Sequence, residues 1–447
     1  MRNTNIIASL LATAALAAAT TTLRADIVVP GSDTGSDGAL AYTTNTVIDL
    51  SMATTGVWDA TSPSPTHGIY DPAKWAIIFK YSTVNIPAGV TVTFKNHPSR
   101  APVIWLVSGT VTIAGSVNLD GEPSTLFGRP TEPGPGGGYG GISYLSDSAP
   151  QGPGFGYGGG QSAQSGGAGS FASQGSTRTW GNGSLYTVGA SGTPYGNAQV
   201  IPLLGGSGGA GSLDRSGGAG GGAILIASRK VITISGAITA NGTTASGTQP
   251  TEVRISGVGS GGAIRLVADT IKGGGSLAAY GQQALSSDLH GPTGGYWSYL
   301  ASVGGRGRIR LESRVNTAGS IQTIPGASVV DPGPTAQIWP PTNAPTLRIK
   351  SIAGTDSPGA PLGNINSGFT DIQVNSGTTN AQIILESQNL SVDPPATIQV
   401  RVVPKFGSSY SVTAAFQSGT YDLATWVATT QLPAELSVLQ ARALSPQ

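Results

Sequence analysis

The chain has 447 residues, a net charge of +1 and only 10% charged residues, so no electrostatic argument favours nucleic acid or an anionic membrane as a partner. It contains no cysteine, which excludes disulfides, thiolate metal sites and cysteine nucleophiles. Its 68 glycines are roughly twice the average share.

Residues 1–25 read as a secretory signal. Arg2 precedes an apolar run from Ile6 to Ala19, and Leu23-Arg24-Ala25 offers a small-residue cleavage site. The run is too short and too alanine-rich for a membrane anchor. Export to the periplasm, the cell surface or the medium is the expectation, with no membrane span after signal removal. Residues 26–75 carry the short strand Val47 to Ser51 and the large side chains Trp58, Tyr70 and Trp75. They are expected to cap an open sheet end. Asp33 and Asp37 among glycines read as an Asx-type turn rather than a calcium loop, which needs more oxygen ligands.

From residue 76 to 325 a repeat emerges. Ala223 to Ala227, Val231 to Ser235 and Ala237 to Ala240 are short alternating runs, three strands in about 22 residues, the rhythm of one coil of a parallel β-solenoid. An offset of 40 carries Ile224 and Ile226 onto Ile264 and Leu266, and a further 45 onto Ile309 and Leu311. These predict inward apolar columns. The intervening column, Leu225, Arg265 and Arg310, is expected to face solvent. In the second half of the coil, Ile232 and Ile238 match Ile271 and Leu277, and at an offset of 83 Val315 and Ile321. Upstream, Val111, Ile113 and Val117 match Ile232, Ile234 and Ile238, and residues 77–94 repeat the rhythm with one extra residue at Pro87 to Gly89.

Residues 122–222 interrupt the repeat with Gly, Ser, Pro and Ala and scattered aromatics, among them Tyr139, Phe155, Phe171 and Tyr195. The ends of this excursion are fixed by neighbouring coils, so extended polyglycine segments packed beside the coil are favoured over a flexible linker. Deletion of 128–219 is expected to leave a foldable solenoid, because loop-closure entropy grows only logarithmically. Residues 326–346, rich in proline, read as a linker. Beyond it, runs at 347–352, 370–374, 382–386, 397–403, 410–416 and 436–439 predict a small antiparallel, immunoglobulin-like β-sandwich over 347–447. The fold class is therefore all-β.

The coil motifs at 86–94, 105–109, 220–228 and 261–268 resemble those of uncharacterised secreted bacterial glycine-rich proteins, adhesin-like β-solenoids with a C-terminal immunoglobulin-like module. The resemblance implies a fold and an export route, and carries no catalytic residues over to this chain.

Candidate chemistry is sparse. His67, His97 and His290 lack metal-pair spacing, and no serine sits in a nucleophile elbow. Gly217 to Gly222 precedes a strand rather than a helix, unlike a phosphate loop. Asp120 and Glu122 read as a solvated turn. No cofactor is implied. Arg265, Arg308, Arg310 and Trp297 are left as a surface that could meet extracellular polysaccharide or another surface protein. A structural or adhesive secreted protein without catalysis is the expected class. A carbohydrate-binding or carbohydrate-active β-helix is the alternative.

Overall fold

A computed structural model describes residues 26–32, 35–59, 67–123, 128–144, 151–180, 187–212, 215–244, 256–286, 299–317, 320–375 and 378–444. It is all-β, with 40% strand and 1% helix, and its sheets are curled. Residues 1–25, expected as a leader, and Asp33, Trp297 and His290 lie outside the described residues.

Parallel pairing dominates the first three quarters of the chain. Ala223–Ser228 pairs with Ala263–Lys272, which pairs with Arg308–Thr317, in the register Ile224, Ile264, Ile309 and Ile226, Leu266, Leu311. Val103–Val107 and Ala76–Tyr81 extend the row, adding Val103 and Ile77 to one column and Trp105 and Phe79 to the other. A second row aligns Val84, Val111, Ile232 and Ile271, and a third aligns Val92, Val117, Ile238 and Leu277. All these side chains are buried in one core. Because side chains alternate across a strand, a one-residue slip would exchange every face, so the apolar columns and the register select each other.

Two spacings differ from expectation. The offset of 83 fails at the last repeat, where Ile271 pairs with Asn316 rather than Val315 and Leu277 with Thr323 rather than Ile321. Strand Arg308–Thr317 continues its ladder straight past residue 313, so the match to the earlier coils drifts. At the upstream end, Ile86 and Val92 align with Ile113 and Val117, so the turn at Pro87 to Gly89 accommodates two extra residues, not one. Residues 26–75 build onto the same stack. Ala39–Ala41 and Thr46–Asp49 add parallel strands, and Ile69–Asp71 lies antiparallel on Ala76–Tyr81.

The outward face is not solvated. Leu225 and Arg265 are 1% and 2% exposed. Leu225 clusters with Ile27, Val29, Ala336 and Ile338, with Trp58 and Trp339 packed alongside, and Arg265 meets the carbonyl of Gln337 in the same covering segment. The proline-rich stretch expected as a linker therefore forms part of the body. Val28 and Thr335 pair in parallel, and Ser328–Val330 adds a strand beside Arg308–Thr317. Alternation fixes which side chains share a face, but the identity of what lies beyond that face is set by distant chain.

The glycine segments form a hydrogen-bonded layer beside the stack. Gly206 and Gly209 donate to Gly221 and Gly218 O at 2.8 and 2.9 Å, and Gly208 and Gly211 to Phe155 and Gly152 O at 2.9 Å. Ala210 donates to Gly167 O at 2.9 Å, and the Ser207 N–H to Ser260 Oγ at 2.8 Å. Every third residue thus donates the same way, the repeat of a polyproline-II helix. Bonds leave this helix in several directions, whereas a sheet strand bonds in only two. The helices sit too close for side chains. A Cβ on Gly208 would lie 1.9 Å from Tyr139 O. The excursion is also attached to what surrounds it. Phe171, Val200 and Leu203 pack on Ala223 and Ala263.

Residues 346–444 form a curled antiparallel sheet. Its order is Thr355–Asp356, Thr346–Ile352, Ala381–Gln388, Ala424–Thr430, Tyr410–Gly419, Thr397–Pro404, Ser437–Leu444. Tyr410–Gly419 serves both halves, pairing Thr397–Pro404 through its first residues and Ala424–Thr430 through its last. Residues 370–374, expected as a strand, are not one, and Ala424–Thr430 is a strand the pattern missed. This sheet docks on the glycine layer. The Arg401 guanidinium donates to Gly156 O, and to Gly159 O at 3.1 Å. Tyr139 and Phe155 of that layer pack against Val403. Burial lowers the Arg401 pKa to about 10.

The layer makes the deletion of 128–219 a loss of structure rather than of an appendage, so that variant is expected to be insoluble or to lose cooperative melting. Gly208→Ala should cost about 3 kcal/mol, since neighbouring backbone must move. Gly274→Ala, with nothing within 4 Å of its Cβ position, should stay within about 0.5 kcal/mol. Chemical denaturation compares them, and equal costs would sink the close-approach argument.

Candidate functional site

The strand Arg308–Thr317 carries Arg308, Arg310 and Glu312 at alternate positions, so their side chains leave on one face. Arg265 stands beside Arg310 on the neighbouring strand. The structure brings these arginines together, but two of them share one carboxylate. Arg265 Nε and Arg310 Nε each meet Glu312 Oε1 at 2.7 Å. Arg265 Nη2 also donates to Gln337 O at 2.6 Å. Glu312 supplies the carboxylate absent from the single column considered above. It lies two residues on from Arg310 and pairs with Val267. The alternation in Arg308-Ile309-Arg310-Leu311-Glu312 was the available signal. Arg265 is thus a buried structural cation and not a surface contact.

Arg308 is different. Its guanidinium lies over the Phe171 ring at 5.4 Å, and Nη2 donates to Tyr195 O at 3.1 Å. Its Nε is buried without a hydrogen-bond partner. Burial lowers its pKa, a trend the nearby Tyr195 opposes. Beside it, Arg306 is exposed, held by its backbone, whose N–H donates to Ser173 Oγ at 2.9 Å. These two arginines, with Ser173, Ala198, Pro325 and Ser328, line a cleft of ≈ 330 Å³. Two guanidiniums and two hydroxyls around a small hollow can hold one anionic group by charge-assisted hydrogen bonds. Arg306 was not singled out from sequence, because it lies in the short return loop just before the strand.

A second group of titratable side chains lies at the turn 96–101. Asn96 Nδ2 donates to Glu132 Oε1 at 2.8 Å, and Arg100 lies 4.9 Å from the Tyr139 ring centroid. Burial raises the Glu132 carboxyl and pushes the Tyr139 hydroxyl up to about 12. His97 Nδ1 lies 2.8 Å from Ser99 Oγ, and burial lowers its pKa. Asp120, expected in a solvated turn, accepts the Asn241 N–H at 2.6 Å and is raised by burial. These groups are engaged in holding turns and rungs. Among the described residues, no three His, Asp or Glu side chains could hold a metal ion, and no helix is long and apolar enough to cross a membrane.

No family model, curated protein or solved structure matches this chain.

Arg265→Ala is expected to cost about 3 kcal/mol, because it empties a buried site and removes the hydrogen bonds to Glu312 and to the Gln337 carbonyl. Arg310→Ala, at a partly exposed position (16%), should cost about 1 kcal/mol. Urea unfolding of the two single variants and the double variant measures both, and their non-additivity reports the shared carboxylate.

Proposed function

We propose that the chain is an exported, non-catalytic adhesive or structural protein. In this reading residues 1–25 are its leader, and 26–75 cap the first row through Ile69–Asp71 while leaving the third row open at Thr46–Asp49. Residues 76–325 are a parallel β-helix, and 347–447 an immunoglobulin-like module. The observation that carries the reading is the continuity of the body. Parallel rungs, a glycine layer and a C-terminal sheet are joined by backbone hydrogen bonds and by Arg401. Such a body resists extension and proteolysis without disulfides, which suits a protein that works outside the cell. The resemblance to adhesin-like glycine-rich proteins points the same way.

Its contact with a partner falls at the Arg306 and Arg308 cleft, where two cationic groups line a hollow whose lining holds no carboxylate. The ligand chemistry that fits is a sugar carboxylate on an extracellular acidic polysaccharide. A carbohydrate-active enzyme is the competing reading, supported by the raised carboxyl of Glu132.

Purified protein should bind polygalacturonate more weakly as salt rises, and should not bind dextran. Each lost charge-assisted bond is worth roughly 1.5–3 kcal/mol, so Arg306→Ala with Arg308→Ala should weaken binding at least about tenfold. Binding that ignores both salt and these substitutions would remove the cleft from the account. Turnover of polygalacturonate that is abolished by Glu132→Gln would establish the enzyme instead.

A further inference from the structure

We infer that copies of this chain associate head to tail by adding the last parallel strand of one copy to the first of the next. The third row of the stack ends on two edges, Thr46–Asp49 at one end and Gln322–Ile324 at the other. Every pairing between them is parallel. In a parallel stack, moving by one rung maps each strand onto its neighbour. The open edge at one end is therefore complementary in direction to the open edge at the other, and each presents backbone groups with no partner strand.

The side chains agree with that operation. Following the register from strand to strand, Val47, Thr93, Asn118, Thr239, Ala278 and Ile324 share one outward column. Its inner members are small or polar, while both end members are β-branched and apolar. Val47 is 61% exposed and Ile324 59%. The adjacent inward column runs from Thr46 through Val92, Val117, Ile238 and Leu277 to Thr323. Here the interior is apolar, and the two ends are again alike, each a threonine. Stacked in the same register, Ile324 meets Val47, Thr323 meets Thr46 and Gln322 meets Asn45. These are β-branched, Thr–Thr and amide–amide pairs, each a favourable cross-strand match. The Asp49 and Lys95 ion pair lies beyond the facing three-residue strand. In the second row, the register from Ala39 through Thr83, Thr110, Val231 and Thr270 leads to Val315, 40% exposed, so the same translation brings Val315 to Ala39. Among the described residues no segment pairs with either third-row edge.

The contact is heterologous, since the two surfaces differ, and a translation with twist does not close on itself. The product is an open chain of copies rather than a ring or a two-fold dimer. This inference uses the strand register alone and does not depend on the polysaccharide cleft.

Sedimentation velocity of the full chain over a concentration series tests it. The weight-average mass should climb past that of a dimer as concentration rises. Ile324→Glu, which puts a charge into the new interface, should hold the protein at monomer mass with an unchanged melting temperature. Adding Val47→Lys to that variant should restore association, since the two charges then face each other across the joint. A folded wild type that stays monomeric throughout overturns the inference. So does association that Ile324→Glu leaves intact, because it would use another surface. Failure of the double variant to recover, with its melting temperature intact, overturns the proposed register.

Discussion

The rest of the structure depends on backbone approaching backbone more closely than any side chain allows. At Gly262 a Cβ would lie 1.8 Å from Gly222 O. That contact joins the entry of one rung to the entry of the next, since Gly222 and Gly262 precede Ala223 and Ala263. The three later rungs, beginning at Ala223, Ala263 and Arg308, are accordingly entered through Gly222, Gly262 and Gly307, where the chain both stacks and carries the glycine layer beside it. The composition follows from this geometry. Glycine has a high entropic cost of ordering. What offsets it here is that nearly every amide in the layer has a partner, in a region buried from water where an unpaired amide would be expensive.

The glycine layer also explains why the apolar content can be modest. The inward columns of Ile224, Ile226 and their partners fill the space between the rows. Aromatic anchors such as Phe171 and Tyr195 fix the layer at its border with the stack, their rings 4.8 Å apart. Hydrophobic burial and backbone hydrogen bonding are thus spatially divided. Substitutions in the first region should act through cavities or buried charge, and in the second through steric displacement of carbonyls.

The sequence reveals the stack well and its surroundings poorly, for one physical reason. Period-two alternation and matching apolar positions report local geometry, so the columns at Ile224, Ile264 and Ile309 were legible. What covers the other face is a matter of distant chain. Leu225 and Arg265 read as an outward column, and so they are, but Val29 and Ile338 lie over it. Similarly, the charged end of that column looked like a binding surface until Glu312 was placed between Arg265 and Arg310. Arg306 was illegible because it belongs to no periodic run. The strand at 424–430 was missed because Ala424-Thr-Trp-Val-Ala-Thr-Thr430 carries few large apolar residues, and its partners rather than its own pattern make it a strand.

The buried ionic group marks a change along the stack. At its first rungs, the outward face carries Ile78, Ile104 and Leu225, and the covering segments meet it with Ile27 and Val29. At later rungs the same column becomes Arg265 and Arg310, with Glu312 in the column beside it, and the covering chain offers Gln337 O instead of a side chain. An apolar contact would tolerate sliding of the covering segment by a residue. A guanidinium held by a carboxylate on one side and a single carbonyl on the other would not. The apolar rungs supply burial free energy, whereas the ionic rungs fix the position at which residues 334–339 cross the sheet. That crossing in turn sets where the chain leaves the stack for the C-terminal sheet.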